Sequence, residues 1–328
     1  MNYNPIIIVA GEPNSVFIEI FLKSLKYKKY KHQIILICSH KLLKLQMKIL
    51  RNKKRINLLD IKNFKFNDLD RNKINLFDVN YHAKKAFEKT TKKSKTYINE
   101  SFKLALKLIK KKISNKFING PISKKHFLAG RELGITEYLA KKTNTKKYAM
   151  LIYNKKLSVC PITTHIPIKL INKNIKIKLI SEKIKLINSF YINKLSIKPR
   201  IGVLGLNPHC ESFEKNNEDE KIIKPAIKAN KKNGYNVSGP YSSDTIFLKK
   251  NRKKFDVIIG MYHDQVLAPI KTIYEYDAIN ITVGLPFIRI SPDHGPNEKM
   301  LGKNISNPLS LIKAISFLDK HWLKQKKV

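Results

Sequence analysis

The chain has 328 residues, enough for one large α/β unit or two subdomains around a sizeable core, and a formal net charge of +42. Only seven of its 66 basic residues are arginines, and the lysines run through the whole length beside abundant isoleucine and asparagine. Recognition of bases and phosphates favours arginine's planar fork, so the charge reads as the bias of an AT-rich coding sequence and leaves a basic nucleic-acid-binding protein as a remote alternative.

A first strand is predicted at 5–10, stopped at once by Gly11-Glu12-Pro13-Asn14, which argues against a signal peptide. A helix at 14–27 and a strand at 33–38 follow, and then 41–80, where lysine and asparagine are so frequent that no period stands out. Helical spacing returns over 81–112, with a buried stripe of Ala83, Ala86, Phe87, Phe102, Ala105, Leu108 and Ile109. Strands are predicted at 116–119, 147–153, 156–161, 200–206, 255–260 and 279–283, and helices at 175–195, 217–233 and 307–324. Strand alternating with helix in this way predicts an α/β fold, a mostly parallel sheet with helices on both faces. No repeat or Pro/Gly/Ser linker divides the chain, which reads as one unit over 1–328 with two lobes and a cleft between them, their boundaries illegible. The three cysteines, Cys38, Cys160 and Cys210, form no C-x-x-C pair, and no apolar stretch nears the roughly 18 residues that span a membrane, so a cytoplasmic enzyme is expected.

Three histidines stand a few residues past short apolar runs: His165 in LSVCPITTH, His209 in RIGVLGLNPH and His263 in FDVIIGMYHDQ. Loops leaving the carboxyl ends of strands line the ligand crevice of an open α/β sheet. Three imidazoles delivered there make a metal site with open positions, the pattern of a catalytic centre. No G-x-G-x-x-G or P-loop sequence is present, so a nucleotide would bind by another route. Glycine and proline, scarce elsewhere, recur in NGPISKKHF, GITEY, TTHIP, LNPHCE, GPYSSDT, MYHDQVLAPIK and NITVGLPFIRISPDHG.

Together, over about residues 6–320, these segments resemble the PdxA family, 4-hydroxythreonine-4-phosphate dehydrogenases of vitamin B6 biosynthesis. The most specific are MYHDQ with Lys271 eight residues after its histidine, and NIT-GLPFIR-S-DHG. The resemblance implies a three-layer α/β/α fold like that of isocitrate and isopropylmalate dehydrogenases, which bind NAD or NADP without a Rossmann fingerprint. It implies a divalent metal (zinc, magnesium or cobalt) on His165, His209 and His263, at a site shared between the subunits of a homodimer. Substrate contacts carry over to Thr136, Lys271, Asn280 and Arg289. The implied reaction oxidises 4-phosphooxy-L-threonine to a 3-keto acid, which loses carbon dioxide to give 3-amino-2-oxopropyl phosphate. Asp244, Asp264, Asp293 and His294 are candidates to take the hydroxyl proton, and Asp264 is equally a partner that orients its neighbouring imidazole.

The chain departs from the family's pattern at three places. The first loop loses two glycines, leaving Asn14 or Ser15 to cap the following helix, and glycines after N-P-H are replaced by Ser212 and Phe213. The family's G-H-T-E has become Gly134-Ile135-Thr136-Glu137, so a substrate-contacting histidine is absent at Ile135. A paralogue acting on threonate or erythronate 4-phosphate is therefore the nearest alternative.

Overall fold

The computed structural model describes residues 4–88, 94–123, 127–128, 134–211, 217–292 and 295–320. In chain order, β1 (Ile6–Val9) leads into α1 (Phe17–Tyr27), β2 (Ile34–Cys38), α2 (His40–Ile49), β3 (Ile56–Leu58), β4 (Ile74–Asp78), α3 (Ser94–Lys110) and β5 (Lys116–Asn119). Next come α4 (Ile135–Lys142), β6 (Ala149–Tyr153), β7 (Ser158–Pro161), α5 (Ile171–Asn174), α6 (Ile177–Phe190), β8 (Ile201–Leu204) and α7 (Lys224–Lys232). The chain continues through β9 (Val237–Tyr241), α8 (Lys249–Arg252), β10 (Val257–Gly260), α9 (His263–Tyr274), β11 (Ile279–Val283), β12 (Ile288–Ser291) and α10 (Leu309–Lys320). Two compact units divide these elements: Met1–Glu132 with Pro286–Val328, and Leu133–Leu285.

In the first unit the strands run in the order β3-β4-β2-β1-β5-β12, every pair parallel. All four residues of β1 are fully buried, so both of its faces are covered, as an unbroken Ile-Ile-Ile-Val run requires. Helix α3 packs on β1 and β2, while α10 packs on β12, β5 and α1. At the carboxyl edge two loops touch backbone to backbone: a Cβ on Gly11 would lie 2.3 Å from the Pro121 carbonyl oxygen, and one on Gly120 would lie 2.1 Å from that of Ala10.

The structure corrects several expectations in this unit. Residues 41–80 contain α2, β3 and β4. Residues 81–88 are not helical, although Ala83 is buried and Ala86 and Phe87 are partly so. Their backbone groups are bonded sideways: the Ala86 carbonyl accepts from Gln46 Nε2 at 2.9 Å, and the Glu88 N–H donates to Asn14 Oδ1 at 3.1 Å. Neither Asn14 nor Ser15 caps α1: its N-cap is Val16, with no side-chain cap bond, although the Ser15 hydroxyl accepts from the Phe17 N–H at 3.3 Å.

The second unit has the order β11-β6-β7-β10-β8-β9. Strand β6 runs antiparallel to β11 and β7, and the remaining pairs are parallel. Helix α9 packs on β7 and β10, α6 on β6 and β11, and α7 on β9. Val159, Leu204, Ile258, Val266 and Ile270 form one buried apolar cluster beneath the site described next. No helix among the described residues is long and apolar enough to cross a membrane.

Candidate active site

Strands β7, β10 and β8 lie side by side and parallel, with Gly260 opposite Pro161 and Ile259 opposite Val203. Their carboxyl ends therefore emerge on one edge, and each delivers a histidine: His165 after β7, His263 as the first residue of α9 after β10, and His209 after β8. Strand β9 extends the same edge and delivers Asp244.

The structure brings His165 and His263 together, with ring centroids 5.8 Å apart and both side chains partly exposed (27% and 33%). An imidazole nitrogen holds zinc at about 2 Å, so two rings on one tetrahedral ion sit roughly 5 Å apart between centroids. The pair fits an ion of that kind. His263 Nδ1 lies 2.6 Å from Asp264 Oδ1, which leaves Nε2 as the ring nitrogen that could face an ion. His209 is not part of this pair; among the described residues no group of three or more His, Cys, Asp or Glu side chains is arranged to hold a metal.

His209 sits in a turn with left-handed backbone (φ 58°), and Cys210 does the same (φ 61°). Non-glycine residues rarely hold that conformation, which costs of the order of 1–3 kcal/mol and persists only where the surroundings impose it. Buried Asp219 anchors the backbone just before this turn, accepting from the Leu206 N–H at 2.8 Å, the Asn207 N–H at 3.0 Å and Asn207 Nδ2 at 2.8 Å. Gln265 then ties two histidine loops together, donating to the Gly205 carbonyl and accepting from the Met261 N–H, both at 2.7 Å. Neither Asp219 nor Gln265 was singled out by sequence. Gln265 had a signal, its place in MYHDQ, whereas Asp219 had none.

Of the proton-accepting candidates, Asp264 is bonded to His263, as above. Asp244 accepts from Ser242 Oγ at 2.6 Å, and that bond, with the field of His209, holds its carboxyl below the usual range. Asp293 and His294 lie outside the described residues, as do Ser212 and Phe213.

The substrate candidates distribute over both units. Thr136, in the first turn of α4, is buried with its hydroxyl 3.3 Å from that of Thr282 on β11. Asn280 stands two residues before Thr282 and so on the same face of β11, its Oδ1 buried and accepting no hydrogen bond among the described residues. Lys271 is half-buried on α9, where burial pushes its ammonium pKa down. Ile135, half-buried, is the first residue of α4. In the first unit Arg289 on β12 is wholly buried, and its Nε donates to Asn119 Oδ1 at 2.6 Å, which fixes the guanidinium plane.

Beside His165, within the second unit, lies a cavity of about 250 Å³ whose lining includes Thr136, Glu137, Lys147, Thr164 and Lys183. Burial lowers the Lys183 ammonium pKa. Glu137, which retains the last position of the family's G-H-T-E segment, accepts from Thr164 Oγ1 at 3.3 Å through Oε1, which lies 4.0 Å from His165 Nδ1.

A largely parallel sheet with helices on it and a polar, histidine-bearing carboxyl edge defines an α/β protein whose candidate site lies at the carboxyl ends of its strands. The fold alone is shared, at 19% identity and a TM-score of 0.64, with a terephthalate 1,2-cis-dihydrodiol dehydrogenase from Burkholderia xenovorans, over 96% of this chain and 97% of that one. A family model described as pyridoxal phosphate biosynthetic protein PdxA matches residues 30–318, and the chain belongs to that family. It is 38% identical over 317 residues to a 4-hydroxythreonine-4-phosphate dehydrogenase from Sulfurihydrogenibium, covering 94% of this chain and 95% of the relative. It is 39% identical over 163 residues to a D-threonate 4-phosphate dehydrogenase from Pectobacterium atrosepticum, about half of each chain. The crystal structure of a 4-hydroxythreonine-4-phosphate dehydrogenase from Klebsiella pneumoniae overlays with a TM-score of 0.80 at 27% identity, over 96% and 98% of the two chains.

Proposed function

We propose that the protein is a cytoplasmic homodimer that oxidises the secondary alcohol of 4-phosphooxy-L-threonine with NAD or NADP. The 3-keto acid then decarboxylates to 3-amino-2-oxopropyl phosphate, in vitamin B6 biosynthesis. The observation that carries this reading is the His165–His263 pair on the edge that also receives His209, in a chain belonging to the PdxA family.

His165 and His263 of one subunit, with His209 of the other, would hold a divalent ion such as zinc, cobalt or magnesium. When bound, that ion makes the substrate hydroxyl more acidic and stabilises negative charge on its oxygen, and the nicotinamide accepts hydride. Asp264 keeps the His263 imidazole turned so that Nε2 is presented. Lys271 and Arg289 supply positive charge for the phosphate and carboxylate of the substrate, and Arg289, fixed by Asn119, can engage an oxyanion through two parallel N–H groups. Thr136, at the start of α4, and Asn280, on β11, orient the substrate.

Ile135 and the D-threonate 4-phosphate name of one relative favour a second reading, a dehydrogenase of another phosphorylated hydroxy acid. Steady-state formation of reduced nicotinamide from each phosphorylated acid tests both. Higher kcat/KM for 4-phosphooxy-L-threonine, lost on chelation and restored by added metal, is the expected result. Preference for threonate or erythronate 4-phosphate would replace the first reading by the second.

A further inference from the structure

We infer that Glu137 is the positioning residue for His165: its buried carboxylate takes up the Nδ1–H of that imidazole when Nε2 carries a cation. This inference rests on His165 being a metal ligand. His263 has a carboxylate in contact with its Nδ1, and a ring held that way presents a fixed tautomer to an ion. Beside the His165 ring stands the Glu137 carboxylate, with Oε1 4.0 Å from Nδ1, about one ångström beyond hydrogen-bonding distance.

Three observations point to Glu137 as the group that closes this gap. Its side chain is only 15% exposed, and Oε2 is buried with no hydrogen-bond partner among the described residues, a costly state for a carboxylate oxygen that a neighbouring cation would relieve. Thr164, the residue before His165, donates to Oε1, so the loop carrying the imidazole also holds the carboxylate. Gly134 leaves the space in which the two meet. A Cβ there would lie 2.7 Å from Glu137 Oε2 and 3.0–3.1 Å from Cε1 and Nδ1 of the His165 ring. The backbone of Gly134 is extended, a conformation open to any residue, so contact with these two side chains is what calls for glycine.

A carboxylate placed in this way matters only once the ring carries positive charge. Metal affinity should then depend on Glu137 far more than the stability of the metal-free chain does. The test titrates the metal-free dimer with Co(II), following affinity and the visible absorption of the bound ion, alongside thermal unfolding of the metal-free forms. Glu137→Gln keeps the shape and removes the charge; it is expected to weaken Co(II) binding about 10- to 100-fold and alter the spectrum, with little change in unfolding temperature. Gly134→Ala leaves both side chains intact and pushes them apart, and is expected to act in the same direction should the first variant fold poorly. Unchanged affinity and spectrum in both variants, with binding lost in His165→Ala, would overturn the role of Glu137 alone. Binding that survives His165→Ala would overturn the metal reading, and Glu137's role with it.

Discussion

Glu12 lies in the loop after β1, 1% exposed, its Oε2 accepting from Ser94 Oγ at 3.1 Å and its Oε1 with no partner among the described residues. Burial raises its pKa from 4.5 to about 7, against the opposing bonds from Ser94 and the Asn14 backbone. A folded-state value above the unfolded one means that the favourable contribution is fully present below about pH 4.5. It is lost as pH rises through about 7. At 1.36 kcal/mol per unit, the loss between pH 5 and pH 8 is about 2.5 kcal/mol. Glu12→Gln stays neutral throughout, so its stability relative to the parent should rise by about that amount over the same interval, whatever constant offset the amide introduces. Urea unfolding of both proteins at half-unit steps of pH measures the difference directly. Curves that stay parallel within about 0.5 kcal/mol would refute the reasoning, because they would mean that the carboxyl titrates alike in both states.

Gly120→Ala should destabilise by about 3 kcal/mol, seen as a large fall in unfolding temperature, since the new Cβ would sit 2.1 Å from the Ala10 carbonyl oxygen and 2.7 Å from the Phe17 ring. Asp319, 5% exposed, accepts from the backbone N–H of His32 at 2.9 Å and lies 2.8 Å from its Nδ1. Burial alone would raise that carboxyl, yet the His32 bonds hold it below the usual range, so its stabilisation is present at neutral pH and lost on acidification. Asp319→Asn should therefore cost about 2 kcal/mol at pH 7 in chemical unfolding, and less as pH falls through the carboxylate range. Arg200 and Asp256 form a two-pronged but half-exposed pair, and Arg200→Lys should change unfolding free energy by less than about 1 kcal/mol. Ile135→His adds a donor at the start of α4 and should raise kcat/KM for 4-phosphooxy-L-threonine severalfold; a fall, with another phosphorylated acid preferred by the parent, would assign the isoleucine to a different specificity. In mixed dimers, one inactive His209→Ala subunit and one inactive His165→Ala subunit should regain up to half the parent activity, and no recovery would place all ligands in one chain.

What could be read from sequence depended on how strongly tertiary structure overrides local pattern. The runs that became β1, β2, β5, β6, β7, β8, β10 and β11 are apolar enough to be legible as strands, and with them the placing of the three histidines at strand ends. The three residues of β3 and the five of β4 are flanked by lysine and asparagine, and β9 (VSGPY) and β12 (IRIS) carry polar residues that hide them. Helix α9 was obscured by Pro269 within it, and α4 has only eight residues in which to display a period. Residues 81–88 mimic a helix because Ala83, Ala86 and Phe87 are spaced like one, while Gln46 and Asn14 from elsewhere take the hydrogen bonds that a helix would need. At the site, residue type and motif pointed to the imidazoles. Asp219, which accepts from the loop before His209, has no such label, and only the path of the surrounding backbone shows its place.

The division of the chain into two units also fixes the order in which the protein can be completed on the ribosome. The second unit is one uninterrupted stretch, Leu133–Leu285, and contains His165, His209 and His263 with the buried residues that brace their loops. The first unit cannot close until β12 has emerged to pair with β5 and α10 to pack on α1. During synthesis the amino-terminal strands therefore wait with an open sheet edge at β5 while the inserted unit is made and folded. All of the histidine-bearing unit is therefore synthesised before β12 and α10, the elements that complete the unit enclosing Arg289.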